Sequence, residues 1–315
     1  MAKFEIIKCH GSGNDFILVD TTRLDSNTKV EWEEFARVAC DRTSGIGSDG
    51  VLLLVGNHHN GFGMDMLNPD GTHAEMCGNG IRCVARLAFE RGYMASSELL
   101  SGGRAYRVER TSNIAEDIAT IAVDVPIRTE SPSFGFAYPG HAFVGQIIDS
   151  LDPKLRFTAL NLGNPHIVAC TEDIDMQHLE HLGRRILSLK EDFPDGINLS
   201  FYKVLSKSSI FVATYERGAG ITLSCGTAMT ASATAAALLD YVNPGKRIEV
   251  LKRGGKVYCT TAIYDHRITT RLEGNATFEW WGEAEFGDGK PFSYTIDHPT
   301  GEAERWQEFV AQLNK

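Results

Sequence analysis

Two stretches of this sequence constrain its fold most. Asn79 to Gly92 and Thr227 to Val242 both have helical length, and both are dominated by apolar residues. The first carries Ile81, Cys83, Val84, Ala85, Leu87, Ala88 and Phe89; the second is nearly uncharged, with Ala at 228, 231, 233, 235, 236 and 237. A helix apolar on every side has to be enclosed. Short β-like runs dominate the rest of the chain, at Phe4 to Ile6, Phe16 to Val19, Gly50 to Val55, Gly63 to Leu67, Ile118 to Val125, Phe211 to Tyr215 and Ile268 to Leu272. The enclosing element is therefore expected to be a curled sheet. Amphipathic surface helices are expected over Glu31 to Cys40 and Met176 to Leu189.

The two apolar helices belong to an internal duplication. Met64 to Glu90 reads MDMLNPDGTHAEMCGNGIRCVARLAFE, and Val212 to Leu238 reads VATYERGAGITLSCGTAMTASATAAAL. Each is a strand, a Gly-containing turn, a second short strand, then Cys-Gly opening the helix. Cys77 and Cys225 lie 148 residues apart in a chain of 315, so each half carries one cysteine at one helix N-terminus. The fold class that follows is α/β (α+β), with two similar domains large enough to build separate cores. The boundaries are drawn at 1–122 with 276–315 for the domain carrying Cys77, and 123–275 for the domain carrying Cys225.

A helix N-terminus presents unpaired N–H groups and a positive dipole end, which favour a thiolate and bind a carboxylate. Two facing halves would present two thiols to one cleft. That suits an α-amino acid whose Cα–H lies between two bases: one thiolate takes the proton from one face and the opposing thiol gives one to the other, inverting the centre. Such chemistry needs no metal and no pyridoxal group. Two rival readings of the cysteines stay open on pattern alone: core residues that precede helices, or a redox pair cycling between dithiol and disulfide.

Composition narrows partners and compartment. Lys plus Arg number 31 against 41 Asp plus Glu, a net charge of −10, and no basic run offers a phosphate track, which argues against nucleic acid and anionic membrane. The longest apolar runs, such as Val51 to Val55 and Ala235 to Leu239, fall far short of the ~20 residues of a membrane span. The N-terminus alternates like a strand and lacks a signal-peptide core. The seven cysteines, at 9, 40, 77, 83, 170, 225 and 259, are odd in number and scattered, as expected of free thiols in the cytoplasm. Neither Cys77 with Cys83 nor the lone His178-x-x-His181 has structural-zinc spacing.

Beyond these readings, the motifs resemble those of diaminopimelate epimerases from Lys8 to about Gly282. They are HGSGNDF (His10 to Phe16), CDRTSGIGSDG (Cys40 to Gly50), LNPDG (Leu67 to Gly71), CGNGIRC (Cys77 to Cys83), GNPH (Gly163 to His166), Ile197-Asn198, YERGAG (Tyr215 to Gly220) and CGT (Cys225 to Thr227). The resemblance implies a cofactor-independent, homodimeric enzyme with Cys77 and Cys225 as its two bases, acting on diaminopimelate. It implies that the backbone N–H groups of Gly78, Asn79, Gly226 and Thr227 hold the reacting α-carboxylate, and that Asn68, Asn164, Asn198 and Arg217 grip the distal ammonium and carboxylate. His166 and Glu216 match positions beside the thiols, and Asn14 a position near the reacting end. The close rival is a racemase of the same family acting on another amino acid.

The chain departs from the family's pattern at three places. Gly50 stands where Gln is common, Ile221 where Glu is frequent, and Ala228 where Gly is frequent. The tail from Glu283 to Lys315 is an extension, with an amphipathic helix expected over Gly301 to Leu313, capping the N-terminal domain or a subunit contact. Gly45-Ile-Gly-Ser-Asp-Gly50 spells a dinucleotide fingerprint, but a polar stretch precedes it and a strand follows it, so nucleotide binding is not expected.

Overall fold

The computed structural model describes residues 1–25, 28–74, 76–94, 98–129, 136, 142–222, 225–265, 267–287 and 289–313. The chain divides into two compact units, residues 1–123 with 274–315, and residues 124–273. The first unit opens with β1 (Ala2–Gly11), β2 (Asn14–Asp20), α1 (Trp32–Ala39), β3 (Val51–Asn57), β4 (Gly61–Leu67), β5 (His73–Ala74), α2 (Gly78–Glu90), β6 (Glu98–Ser101) and β7 (Arg104–Arg110). β8 (Thr120–Ile127) runs on into the second unit, which holds β9 (Gln146–Ile148), β10 (Asp152–Asn161), β11 (Pro165–Cys170), α3 (Met176–Ile186), β12 (Asn198–Ser206), β13 (Ser209–Glu216), β14 (Gly220–Thr222), α4 (Gly226–Leu238), β15 (Arg247–Lys252), β16 (Gly255–Tyr264) and β17 (Arg267–Asn275). The chain ends in the first unit with β18 (Thr277–Phe286), β19 (Ser293–Pro299) and α5 (Glu302–Leu313).

The duplication read from the helices extends over the whole topology. In the first unit β1 pairs antiparallel with β2, β2 parallel with β3 across α1, β3 antiparallel with β4, β4 with the short β5, and β4 parallel with β6 across α2. In the second, β10, β11, α3, β12, β13, β14, α4 and β15 repeat those pairings in the same order and sense. The register repeats too: Val51 faces Leu67 as Leu199 faces Tyr215, and Met66 faces Ala74 as Thr214 faces Thr222. Every expected strand lies in or overlaps an observed one, and the five helices match those expected to within a turn at each end. Residues 45–50 connect α1 to β3 rather than opening a helix, so the glycine motif has no helix N-terminus on which to seat a pyrophosphate.

In each unit the enclosed helix covers one face of the sheet and a surface helix covers part of the other. In the first unit α2 lies against β1, β2, β3, β4, β6 and β7, while Phe35, Ala36 and Ala39 of α1 cover Phe4, Ile6, Ile17, Val19, Val51, Leu53 and Leu67 on the other face. In the second, α4 lies against β10 to β13, β15 and β16, and Leu179, Leu182 and Ile186 of α3 cover Phe157, Ile167, Leu199, Phe201 and Ala213. The two enclosed helices solve burial differently. α4 is small and its hydroxyls turn back on its own carbonyls, Thr230 to Gly226 O at 2.8 Å and Ser232 to Ala228 O at 2.9 Å, which satisfies buried donors without outside partners. α2 buries two arginines instead, Arg82 and Arg86.

Arg86 ties in the C-terminal extension. Its guanidinium meets the Glu302 carboxylate at 2.5 and 2.7 Å, and Glu302 also accepts from the Phe278 amide at 3.1 Å. α5 is thus an integral layer of the first unit, anchored through its first residue and through buried Trp306, which packs on the His10 ring. Among the described residues no helix is long and apolar enough to cross a membrane.

Candidate active site

Cys77 and Cys225 each stand at the N-cap of the buried helix of their own unit, in extended backbone conformation. Around Cys77 the hydrogen bonds run in one direction. Arg82 Nη2 donates to Asn79 Oδ1 at 3.0 Å, Asn79 Nδ2 to Asn14 Oδ1 at 3.1 Å, and Asn14 Nδ2 to Asp49 Oδ2 at 2.6 Å. A cation at one end and a carboxylate at the other fix both amides, so Asn14 turns its oxygen to Cys77, whose Sγ lies 3.7 Å away. The Gly80 amide donates to the same sulfur at 3.4 Å.

Asn14 is held by the turn between β1 and β2. Asn275 accepts from the Ser12 amide at 2.7 Å and donates to His10 Nδ1 at 3.2 Å, while Arg82 Nε donates to the Asn275 carbonyl at 3.1 Å. Gly11 makes this packing possible, because a Cβ there would stand 2.8 Å from Arg82 Nη2 and 2.9 Å from Asn79 Cβ. Arg82 is fully buried, and its charge, Asp49 and Asn275 complete a constellation that the motif reading did not include. The signal in the sequence was a pair of arginines, Arg82 and Arg86, inside a helix otherwise rich in apolar residues.

The Cys225 cluster is arranged with the opposite polarity. His166, wholly buried, places Nε2 3.0 Å from Asn164 Oδ1 and 3.1 Å from Thr227 Oγ1. Because the amide oxygen can only accept, Nε2 carries the proton, and Asn164 Nδ2 then faces Thr227 Oγ1 at 3.4 Å as a second donor. With donors behind it, the Thr227 hydroxyl is left to donate to Cys225 Sγ, 3.4 Å away. His166 Nδ1 is buried with no hydrogen-bond partner, the acceptor end of a neutral ring. Burial first, then the charges of Lys252 and Arg217, lower the pKa of this imidazole to about 3.

Both thiols are raised by burial. At Cys77 the Gly80 and Asn79 amides and the Arg82 charge oppose the rise without cancelling it. Cys225 is pushed up to about 12 by burial and by the Glu216 carboxylate, against the pull of Lys252, the Thr227 hydroxyl and the Ala228 amide. The amides at the helix N-termini favour thiolates, but desolvation outweighs them.

The remaining candidates take several kinds of position. The Gly78, Gly226, Asn79 and Thr227 amides lie in the first helical turns. Asn68 sits in the turn after β4, its side chain donating to Thr72 Oγ1 at 2.9 Å. Asn198, at the start of β12 beside His166 on β11, accepts from the Arg217 amide at 2.9 Å. Arg217 Nη1 donates to the Asp195 carbonyl at 2.8 Å, which fixes one edge of the guanidinium. Glu216 accepts from the Thr222 hydroxyl. Carrying the repeat through the register pairs Asn14 with Asn164, Asn68 with Glu216, Asn79 with Thr227, Gly80 with Ala228, and Gly50 with Asn198. A Cβ at Gly50 would stand 2.6 Å from the Leu67 carbonyl, so the missing amide reflects a β3–β4 approach too close for any side chain. Ile221 is partly exposed and Ala228 buried.

Solved structures share this architecture. A phenazine biosynthesis protein of the PhzF family from Bacillus anthracis has a TM-score of 0.63 at 14% identity, covering 91% of this chain and 100% of that one. A hydroxyproline epimerase from Agrobacterium vitis has a TM-score of 0.60 at 12% identity, covering 89% and 92%. This is the duplicated fold of the epimerases that resemble proline racemase. Sequence comparison narrows it: curated proteins named diaminopimelate epimerase from Clostridium acetobutylicum and Enterococcus faecalis are 35% and 34% identical, over 100% and 98% of this chain and 96% and 98% of theirs. The model of the diaminopimelate epimerase family matches residues 6–117 and 158–279, and the chain belongs to that family of isomerases.

Proposed function

We propose that this chain interconverts LL- and meso-2,6-diaminopimelate by a two-base reaction in which Cys77 and Cys225 are the proton-transfer groups. The observation that carries the reading is the pair of cysteines in equivalent places of a duplication whose register repeats, each capping a buried helix with an Asn-based hydrogen-bond network behind it. One sulfur takes the Cα proton as a thiolate and the other delivers its own to the opposite face, so the centre inverts and the protein ends with the thiol and thiolate exchanged. The first-turn amides of α2 and α4 stabilise charge that develops toward the α-carboxylate. Burial disfavours both thiolates; an ammonium on the substrate, close to the sulfur, would offset that desolvation. Asn68, Asn164, Asn198 and Arg217 are assigned to the distal end, and His166 and Glu216 to assisting the second thiol. The proposal includes a homodimer in the cytoplasm and no pyridoxal phosphate or metal.

Incubation of the protein with LL-diaminopimelate in deuterated water tests it. The wild type should form the meso isomer with deuterium at the inverted centre, and Cys77→Ala and Cys225→Ala should each lower epimerisation by about 10²-fold or more. Retention of activity in either variant would refute the two-base assignment, and exchange only on another amino acid in a substrate panel would refute the substrate.

A further inference from the structure

Lys252 closes β15 with its side chain turned inward. Ile248, Val250 and Lys252 alternate on the buried face of that strand, and the lysine is 4% exposed. Its ammonium donates to Thr222 Oγ1 at 3.2 Å, and the same hydroxyl donates to the Glu216 carboxylate. Thr222 lies three residues before Cys225. A buried cation is costly unless its charge is answered, and here a hydroxyl bridges it to a carboxylate.

The duplication shows that this arrangement is confined to one half. Glu216 and Thr222 correspond by register to Asn68 and Ala74, and Lys252, which faces Gly255 at the end of the β15–β16 ladder, corresponds to Ser101, which faces Arg104 at the end of the β6–β7 ladder. Three neutral residues of the first unit are thus replaced by an anion, a bridging hydroxyl and a cation in the second.

We infer that Lys252 is a positioning residue for proton transfer at Cys225: through Thr222 it holds the Glu216 carboxylate, and it supplies the positive charge that answers that carboxylate beside the sulfur. The inference rests on Cys225 being a proton-transfer thiol. The groups that act on this sulfur are Glu216 from β13, Lys252 from β15, and Thr227 and the Ala228 amide from α4, with His166 of β11 behind Thr227. Glu216 opposes the thiolate, whereas Lys252, Thr227 and the Ala228 amide favour it; the same field acts in return on the ammonium, which Cys225 and Glu216 help to keep charged against burial.

The test reads the thiol directly and needs no substrate. Wild type, Lys252→Met and Lys252→Arg are treated with methyl methanethiosulfonate between pH 7 and 9, and modification of the Cys225 and Cys77 peptides is followed by mass spectrometry alongside melting temperature. Lys252→Met should slow Cys225 about tenfold at fixed pH while leaving Cys77 unchanged, and Lys252→Arg should restore most of the rate. Should Lys252→Met unfold, Glu216→Gln serves in its place and should accelerate Cys225. Equal Cys225 rates in folded wild type and Lys252→Met, equal slowing by Met and Arg, or no acceleration by Glu216→Gln would overturn the inference. A rate shift in a protein that fails to epimerise diaminopimelate would support it while refuting the substrate assignment.

Discussion

Replacing Thr227 by Val tests the direction of the hydrogen bonds around Cys225. Valine keeps the shape of the side chain and deletes one hydroxyl, and with it contacts to Cys225 Sγ at 3.4 Å, His166 Nε2 at 3.1 Å and Asn164 Nδ2 at 3.4 Å. A hydrogen bond to a charged group contributes about 1.5–3 kcal/mol. The sulfur contact is long, so the lower end applies, and at about 1.4 kcal/mol per pKa unit the thiolate becomes roughly one unit harder to form. α-Proton exchange from diaminopimelate in deuterated water should fall about tenfold at neutral pH, with KM little changed because the Thr227 amide is retained. Stability should fall by about 1–3 kcal/mol, since Asn164 Nδ2 loses an acceptor in a buried site. Thr227→Ser should restore both. Unaltered exchange in folded Thr227→Val would show that the hydroxyl does not donate to the sulfur, and failure of Ser to rescue would refute the hydroxyl as the cause.

Two further predictions concern stability. Glu302→Ala removes the carboxylate that meets Arg86 at 2.5 and 2.7 Å and the Phe278 amide at 3.1 Å. Arg86 keeps Glu90 as an ion partner at 2.8 Å, so the loss is that of charge-assisted hydrogen bonds, about 1.5–3 kcal/mol, which for a unit of this size lowers the melting temperature by roughly 3–12 °C; a loss under about 2 °C would refute the role of α5 as an integral layer. Acid should weaken the fold before the carboxylates titrate. His166 and His10 have pKa values lowered by burial to about 3 and about 4, so the unfolded chain binds more protons below its own histidine pKa of about 6.5. Their stabilisation is complete above that pH and is lost as pH falls toward the folded values, by roughly 2 kcal/mol for each histidine at pH 5. Urea midpoints that stay flat from pH 7 to 5 would refute it, and His166→Gln should remove about half of the dependence.

The fold was legible because burial leaves a plain mark on composition. Ala231 to Ala237 can be a helix only if it is enclosed, and the Cys-Gly repeat located that helix twice. Its two-sided sheets were harder to delimit: β10 begins with polar residues and β19 is exposed along its whole length, so neither has the alternation by which a half-buried strand is read. Among site residues the motifs located the cysteines and their amides, since these lie at helix starts. Arg82, Asp49, Asn275 and Lys252 escaped notice for a different reason. Their partners are 193 residues apart in the case of Arg82 and Asn275, and no local pattern encodes such a contact. Lys252 left a trace, as Arg82 did, as the charged residue on the inward phase of Ile248, Val250, Lys252.

The duplication also explains why the halves differ where they do. In the reaction proposed above one sulfur gives a proton while the other takes one, and two identical surroundings would leave the pair without preference. The topology from β1 to β6 is repeated strand for strand from β10 to β15, yet the groups nearest the sulfurs have diverged in hydrogen-bonding sense. Asn14 offers Cys77 an acceptor, which favours the thiol; Thr227 offers Cys225 a donor, which favours the thiolate. The Glu216 and Lys252 pair places opposed charges at positions where the first unit has the neutral Asn68 and Ser101. Shared backbone geometry thus sets one cysteine at the N-terminus of the enclosed helix in each unit, and divergence in a handful of side chains gives the two sulfurs different hydrogen-bonding surroundings.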